Sequence, residues 1–155
     1  DWYLMDNDDK SNYIWSIRRS ISLGLKKVAG KKMSEDVVVP PSEVPNYLES
    51  LESINHTSGI KVLGYGHLGD GNIHVNILKM SADEDTWQSK KDEIVKVVME
   101  KAVSLGGTIS GEHGIGITKK KYMPLVFNST EIEIMKKIKS VIDPNNILNP
   151  GKIFD

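Results

Sequence analysis

The sequence predicts an α+β fold in which helices pack on one face of a mostly antiparallel sheet. Three observations lead to this class: long stretches with apolar residues at helical spacing, two apolar runs on either side of a glycine-rich turn, and the alternation of the two kinds of element along the chain. A ferredoxin-like, split βαβ arrangement is a natural member of the class. Residues 1–155 are expected to form one compact domain, because no internal repeat or low-complexity linker interrupts them.

The first part of the chain is predicted to fold as a helix, a strand and a second helix. The first helix covers residues 11–29 and ends at Gly30. Its apolar stripe consists of Ile14, Ile17, Ile21, Leu25 and Val28. The segment EDVVVPP is typical of a short strand that ends at proline. Ser42 is placed to cap the second helix, whose inward-facing residues are Val44, Leu48 and Leu51.

A β-hairpin is predicted in the middle of the chain. The apolar runs 60–66 and 73–79 flank a turn that contains two glycines, an aspartate and an asparagine. Since successive strand residues point to opposite faces, His74 and Asn76 share one face of the second strand. With a simple register, His67 lies opposite His74, and cross-strand partners share a face.

A long helix and a short strand are predicted to follow the hairpin. The helix lies within residues 81–107, begins with a capping box formed by Ser81 and Glu84, and ends at Gly106. Its apolar stripe consists of Ile94, Val97, Val98, Ala102 and Leu105. The segment TISGEHGIG is then expected to be a short strand that runs into a glycine-rich loop.

The last predicted helix starts near Thr130, which forms a capping box with Glu133. Its stripe consists of Ile134, Met135, Ile138, Val141 and Ile142. The tail DPNNILNPGKIFD is rich in asparagine and proline, so ordered turns are predicted there.

Composition and charge exclude several classes of protein. The 20 basic and 21 acidic residues nearly balance, which argues against a nucleic-acid partner. The sequence contains no cysteine, so any metal must be held by His, Asp or Glu. No apolar run approaches the roughly 20 residues of a membrane span, and no signal peptide is visible, so we expect a soluble intracellular protein. The opening DWYLMDNDDK lacks an initiator methionine, as expected of a piece of a longer protein.

Three of the four histidines lie in glycine-rich segments and suggest a metal site. His67, His74 and Glu112 would supply two imidazoles and a carboxylate, a set that suits zinc or another divalent ion. Consecutive residues of an extended loop point opposite ways, so His113 would face a substrate as general base. The spacing alone is weak evidence, because loop histidines are commonly just solvated and His113 can simply hydrogen-bond its own loop.

Further polar residues are candidates for substrate binding. Asn76 lies on the same strand face as His74, and Arg18 and Ser22 lie one turn apart at the edge of the first helix's stripe. Arginine offers a bidentate fork for a carboxylate, and Lys32 could add anion binding. For all of these the alternative is an ordinary solvated surface residue. The loop TISGEHGIG lacks the features of a nucleotide-binding motif.

The motifs GHLGDGNIHVN, SGEHGIG and IDPNNILNPGKIF, in this order, resemble the C-terminal domain of FAD-linked 2-hydroxy-acid dehydrogenases. That family includes glycolate oxidase large subunits, D-lactate dehydrogenases and D-2-hydroxyglutarate dehydrogenases, within the vanillyl-alcohol oxidase superfamily. WSIRRSI followed by EDVVVP also fits the family's pattern, so the resemblance covers nearly the whole chain.

The resemblance implies roles for the candidate residues. His67, His74 and Glu112 match the ligands of a zinc-like ion, and His113 matches the base. Arg18, Ser22 and Asn76 match substrate-binding residues; Lys32 is the nearest candidate for a substrate-binding lysine, and Asn149 matches an asparagine that approaches the flavin.

The resemblance also implies partners and an activity. FAD is held mainly by an N-terminal domain that this sequence lacks. The intact protein would oxidise a small D-2-hydroxy acid of the D-lactate or glycolate type, with hydride passing to flavin and electrons to a further acceptor. Assembly with a second copy or with other oxidase subunits is implied too, and any membrane association would come through the acceptor. The chain by itself is expected to be inactive.

Two other functions remain open from the residues. One is a stand-alone metal-dependent hydrolase in which His113 acts on a metal-bound water. The other is a non-catalytic binding domain whose glycine-rich loops are structural.

Overall fold

The structure, a computed structural model, describes residues 4–55 and 59–154. Within these ranges the helices are α1 (Asp8–Val28), α2 (Val44–Ile54), α3 (Glu84–Ser104) and α4 (Ser129–Ile142). The strands are β1 (Lys31–Val38), β2 (Ile60–His67) and β3 (Asn72–Lys79). Short 3₁₀ turns at Pro41–Glu43 and Lys120–Leu125 precede α2 and α4.

The strands form an antiparallel sheet in the order β1-β3-β2. A single antiparallel bridge joins Val38 at the end of β1 to Thr108 after α3. With this bridge in place of a fourth strand, the order is that of a ferredoxin-like split βαβ unit, so the predicted α+β class is confirmed. The strand predicted at Thr108 is reduced to one bridge, because the backbone N–H groups of Gly111 and Glu112 donate to the Asp36 carboxylate instead of to a strand.

One face of the sheet forms the hydrophobic core with α2 and α3. Its buried residues include Val37, Val62, Ile73, Val75 and Ile77 from the strands, and Val44, Tyr47, Leu51, Ile94, Val98 and Met99 from the helices. The Tyr47 hydroxyl donates a hydrogen bond to the Val98 carbonyl at 3.2 Å, which satisfies a polar group deep in this core. The opposite face is therefore left for polar side chains.

The hairpin forms where it is predicted, but its register differs from the simple one. His67 pairs with Asn72, and His74 pairs with Tyr65. The Asp70 side chain accepts a hydrogen bond from the Asn72 backbone at 3.0 Å, which closes the turn early and lets pairing start next to it. His67 and His74 are thus diagonal neighbours on the same face rather than direct partners.

The predicted caps of α2 and α3 are both wrong. A 3₁₀ turn leads into α2, so neither Ser42 nor any other side chain caps it. At α3 the cap is Asp83 rather than Ser81, and its carboxylate accepts the Thr86 backbone hydrogen bond at 2.7 Å. A carboxylate at this place also favours the positive end of the helix dipole.

The start of α4 also differs from the prediction. Asn128 rather than Thr130 is the cap, and it forms a reciprocal capping box with Glu131. The predicted motif was thus two residues too late. The tail forms ordered turns as predicted, with the Asp143 carboxylate accepting backbone hydrogen bonds from Ile147 and Leu148 at 3.0 and 2.9 Å.

The apolar stripes predicted on α1 and α4 are largely uncovered within the described residues. No residue of α1 is buried, and Ile134, Ile138, Val141 and Ile142 of α4 are exposed. Met135 of α4 packs at the edge of the core. Helical spacing therefore identifies these helices without implying that the same chain covers them. No helix in the described ranges has the length and apolar character that a membrane span requires.

The segment that connects α1 to β1 is shorter than predicted. The helix starts at Asp8, after Asn7 caps it, and ends at Val28. Gly30 then donates a hydrogen bond to the Lys79 carbonyl at 3.1 Å, so the sheet begins at Lys31, before the predicted EDVVVPP segment.

We predict that Gly66→Ala lowers the free energy of unfolding by about 2 kcal/mol or more, because overpacking is costly where the backbone cannot yield. An added Cβ would lie 1.9 Å from the Asn72 carbonyl oxygen. Gly69→Ala in the same hairpin is the control, since no atom lies within 4 Å of a Cβ added at Gly69. Denaturant unfolding of both variants measures the difference, and equal stabilities would contradict the close approach.

Candidate active site

The polar face of the sheet collects side chains from all three strands. In one row across the sheet, Asp36 of β1 pairs with His74 of β3, which pairs with Tyr65 of β2. In the next row, Asn76 pairs with Ser34. Since cross-strand partners share a face, the register alone places these residues together.

The three predicted metal ligands meet at this face. The His67 and His74 rings are 5.6 Å apart, centroid to centroid, and His74 Nε2 lies 3.3 Å from Glu112 Oε1. One ligand atom from each of His67, His74 and Glu112 lies within 4.8 Å of the other two. Two imidazoles and a carboxylate at such separations can converge on a divalent ion.

Glu112 reaches the histidines because the Asp36 carboxylate holds its loop. Asp36 Oδ2 accepts hydrogen bonds from the backbone N–H groups of Gly111, Glu112 and His113 at 2.8, 2.8 and 3.0 Å. Successive N–H groups that converge on one oxygen form an anion-binding nest. Gly111 suits the tight approach, because a Cβ there would lie 2.6 Å from the Asn72 side-chain oxygen.

A buried lysine completes the environment of Asp36. Lys119 Nζ hydrogen-bonds the Asp36 carboxylate and also donates to the Asp36 backbone carbonyl at 2.7 Å. Both side chains are almost fully buried. Burial by itself raises the pKa of Asp36, but the Lys119 hydrogen bond and the backbone N–H groups outweigh it and hold that pKa well below its usual value. Asp36 is therefore a permanent anion at neutral pH.

His113 lines the same cavity as Glu112, so the prediction that the two side chains point opposite ways is wrong. The loop is not extended at this point, because it curls around the Asp36 carboxylate. The His113 ring stacks on His74 with centroids 5.4 Å apart, and its Nδ1 lies 3.4 Å from Asp36 Oδ1.

The electrostatics favour a neutral His74. Burial lowers the pKa of His74, and His113 and His67 lower it further, whereas Glu112 opposes the shift. A neutral imidazole is the form that coordinates a metal ion.

A cavity of about 400 Å³ joins these groups to α1. Arg18 Nη2 lies 3.0 Å from His67 Nδ1 and 3.1 Å from Nε2, and the Arg18 guanidinium lies 5.2 Å from the centre of the Trp15 ring. Ser22 lines the same cavity. Lys32 does not line it but donates a hydrogen bond to the Ser22 hydroxyl at 2.8 Å.

Asn76 is fully buried at the floor of this cavity. Its Oδ1 accepts from the Ser34 hydroxyl at 3.0 Å, and its Nδ2 donates to the His74 carbonyl at 3.2 Å. Asn149 is not among the residues that line the cavity. It lies exposed in the tail with φ 51°, and its side chain accepts a hydrogen bond from Lys152 at 3.0 Å.

Several residues of the site escaped the sequence analysis. Asp36 and Lys119 lie buried behind the cavity lining, and the lining itself includes Arg19, Ser34, Glu35 and Tyr65. The adjacent acids in EDVVVP carried a signal, since a carboxylate that begins a run of buried valines must find a partner. Lys119 carried none, because it sits in the run KKK, which is typical of a solvated surface.

Comparisons with known proteins identify the family of this chain. The family model described as FAD linked oxidases, C-terminal domain, matches residues 1–153. The chain is 37% identical to a D-2-hydroxyglutarate dehydrogenase of Stutzerimonas stutzeri, an alignment that covers 99% of this chain and 33% of the relative. It is 36% identical to a D-lactate dehydrogenase of Archaeoglobus fulgidus, over 99% of this chain and 33% of the relative.

A third relative is glycolate oxidase subunit GlcD of Bacillus subtilis, which is 36% identical over 88% of this chain and 29% of its own length. The chain thus spans about one third of the length of these curated relatives. A match over nearly all of its residues shows the family: the chain belongs to the C-terminal domains of FAD linked oxidases.

Proposed function

We propose that this chain is the substrate-binding part of an FAD-dependent dehydrogenase that oxidises a small D-2-hydroxy acid to the 2-oxo acid. The observation that carries the proposal is a single cavity lined by a triad of possible metal ligands, together with a further histidine and an arginine. The triad consists of His67, His74 and Glu112. The names of the relatives support a hydroxy acid of the D-lactate, glycolate or D-2-hydroxyglutarate type. They favour this proposal over a stand-alone hydrolase or a non-catalytic binding domain.

The donor set fits a divalent metal, which we propose to be zinc. His67, His74 and Glu112 would hold it, and three protein ligands leave a position open for substrate. When bound, such an ion acts as a Lewis acid that lowers the pKa of a coordinated hydroxyl group. Glu112 is about half exposed and lines the cavity, which is consistent with a position that substrate can reach.

Arg18 is proposed to bind the carboxylate of the substrate. Its guanidinium fork matches a carboxylate geometrically, and the neighbouring Trp15 ring limits its freedom. Ser22, supported by its hydrogen bond from Lys32, would add a donor at the same end of the cavity. Asn76 would offer its second amide N–H to the substrate, because the other one donates to the His74 carbonyl. Together these groups would orient the α-carbon.

His113 is proposed to take the proton of the substrate hydroxyl. Its ring lines the cavity and stacks on His74, one of the proposed metal ligands, and histidine is the side chain that most often acts as a general base.

FAD would be held mainly by a part of the intact protein outside this chain. Flavin, when bound, supplies the hydride acceptor for the oxidation. Asn149 is proposed to approach it, since this residue is exposed in the ordered tail.

We predict that His67→Ala weakens Zn²⁺ binding by at least about 100-fold, because it removes one of three ligands. Isothermal titration and metal analysis of the purified protein measure the change. His113→Ala is the matched control: it removes a cavity histidine that is not in the triad and should leave the metal bound. Equal metal content in His67→Ala and the wild type would contradict the site.

We predict that the intact parent protein oxidises at least one of D-lactate, glycolate and D-2-hydroxyglutarate, and that a chelator suppresses this activity.

Arg18→Ala should lower kcat/KM by about 100-fold, mainly through KM, because a charge-assisted bidentate contact is lost. The kcat/KM of Arg18→Lys should lie between those of the wild type and Arg18→Ala, since lysine keeps the positive charge but lacks the guanidinium fork. An unchanged KM in Arg18→Ala would remove this residue from the binding site. No oxidation of any of the three acids would overturn the proposed function.

A further inference from the structure

We propose that Asp36 is a positioning residue for His113: it accepts a hydrogen bond from Nδ1–H and thereby presents the unprotonated Nε2 to the substrate hydroxyl. The inference rests on the proposed function, in which His113 is the base, and it names the group that sets the orientation and tautomer of that base.

The first support is the rigidity of Asp36. Its side chain is fully buried, its Oδ2 accepts three backbone N–H groups, and its Oδ1 is bonded to Lys119. A carboxylate held by four donors cannot rotate away from its neighbour. His113 Nδ1 lies 3.4 Å from Oδ1, a separation at which hydrogen bonds of catalytic groups without substrate are often found.

The second support is the restraint on the His113 ring. One of the N–H groups that Asp36 binds belongs to His113 itself, so the backbone and the ring of this residue meet the same carboxylate. The ring also stacks on His74, with an angle of 22° between the two planes. Rotation about the side-chain bonds of His113 would break this stack.

The third support is the comparison of the two ring nitrogens. Nε2 of His113 lies 3.8 Å from Glu112 Oε1, whereas Nδ1 is closer to Asp36. Glu112 is more than half exposed, and Asp36 has no exposed surface. Since an interaction is stronger away from water, the proton is held at Nδ1 and the lone pair at Nε2. The opposite tautomer would turn the Nδ1 lone pair toward a buried anion.

The proton balance of the proposed role is simple. The O–H bond of the substrate breaks, a bond forms between that hydrogen and His113 Nε2, and the imidazole becomes an imidazolium. The Asp36 anion stabilises this cation without taking its proton. Lys119 keeps the carboxylate ionised and in place, so its role is one step further from the substrate.

Asp36→Asn in the intact parent protein tests the inference. Asparagine keeps the size of the side chain and one oxygen for the loop, but its amide favours the wrong tautomer of the neighbouring imidazole. We expect kcat to fall by about 100-fold or more, with KM within about threefold of the wild type. Ser110→Ala is the control: Ser110 Oγ also lies near Asp36 Oδ1, at 3.4 Å, and its loss should leave kcat unchanged.

Two further measurements separate positioning from a merely structural role. In a His113→Ala background, Asp36→Asn should cause no additional loss of kcat, because the base that it positions is gone. In the wild type, ¹⁵N NMR of labelled histidines should show His113 protonated at Nδ1, a result that does not depend on whether Asp36→Asn folds.

The outcomes distinguish the inference from the proposed function. If His113→Ala retains activity, His113 is not the base and the proposed function is wrong in this part. If His113→Ala is inactive while Asp36→Asn keeps its kcat, only the inference fails. An NMR spectrum that shows the neutral ring protonated at Nε2 also overturns the inference.

Discussion

The arrangement of the site depends on one buried carboxylate. Asp36 lies near the end of β1 on the sheet's polar face, and its two oxygens bind the loop at residues 111–113 and the amino group of Lys119. A buried ion costs several kcal/mol unless hydrogen bonds and an opposite charge compensate it, and here both are present. The loop is thereby tied to β1, the strand that pairs with the one carrying His74, although the loop and β1 are far apart in the sequence.

This constraint explains how a small sheet can carry a polar site. The core lies on the other face, where α2 and α3 cover the valines and isoleucines of the strands. On the polar face, the Asp36 carboxylate holds the loop at residues 111–113, and α1 contributes Arg18 and Ser22 to the cavity. The proposed metal ligands come from two kinds of element: His67 and His74 from strands, and Glu112 from a loop that Asp36 holds in place.

Sequence patterns predicted the elements and much of the site, but not what joins them. Periodicity identified the four helices and the hairpin, and strand parity placed His74 and Asn76 on one face. The register could not be predicted, because it depends on the Asp70 hydrogen bond that closes the turn. The capping residues near α3 and α4 were displaced by two, since several polar residues compete at each helix start.

The sequence patterns failed mainly to predict long-range contacts. Asp36 and Lys119 pair across more than eighty positions of the chain, and nothing in the run KKK distinguishes Lys119 from its neighbours. Likewise, the spacing of Ile138 and Val141 predicts an apolar helix face but not whether the same chain covers it. Such features follow from the fold rather than from local propensity.

The most direct test of this account is amide hydrogen exchange in the loop at residues 111–113. If Asp36 holds this loop to the sheet, the amides of Gly111, Glu112 and His113 should be strongly protected, with opening free energies close to those of β3. Exchange of these three amides at the rate of an unprotected loop would contradict the central role of Asp36.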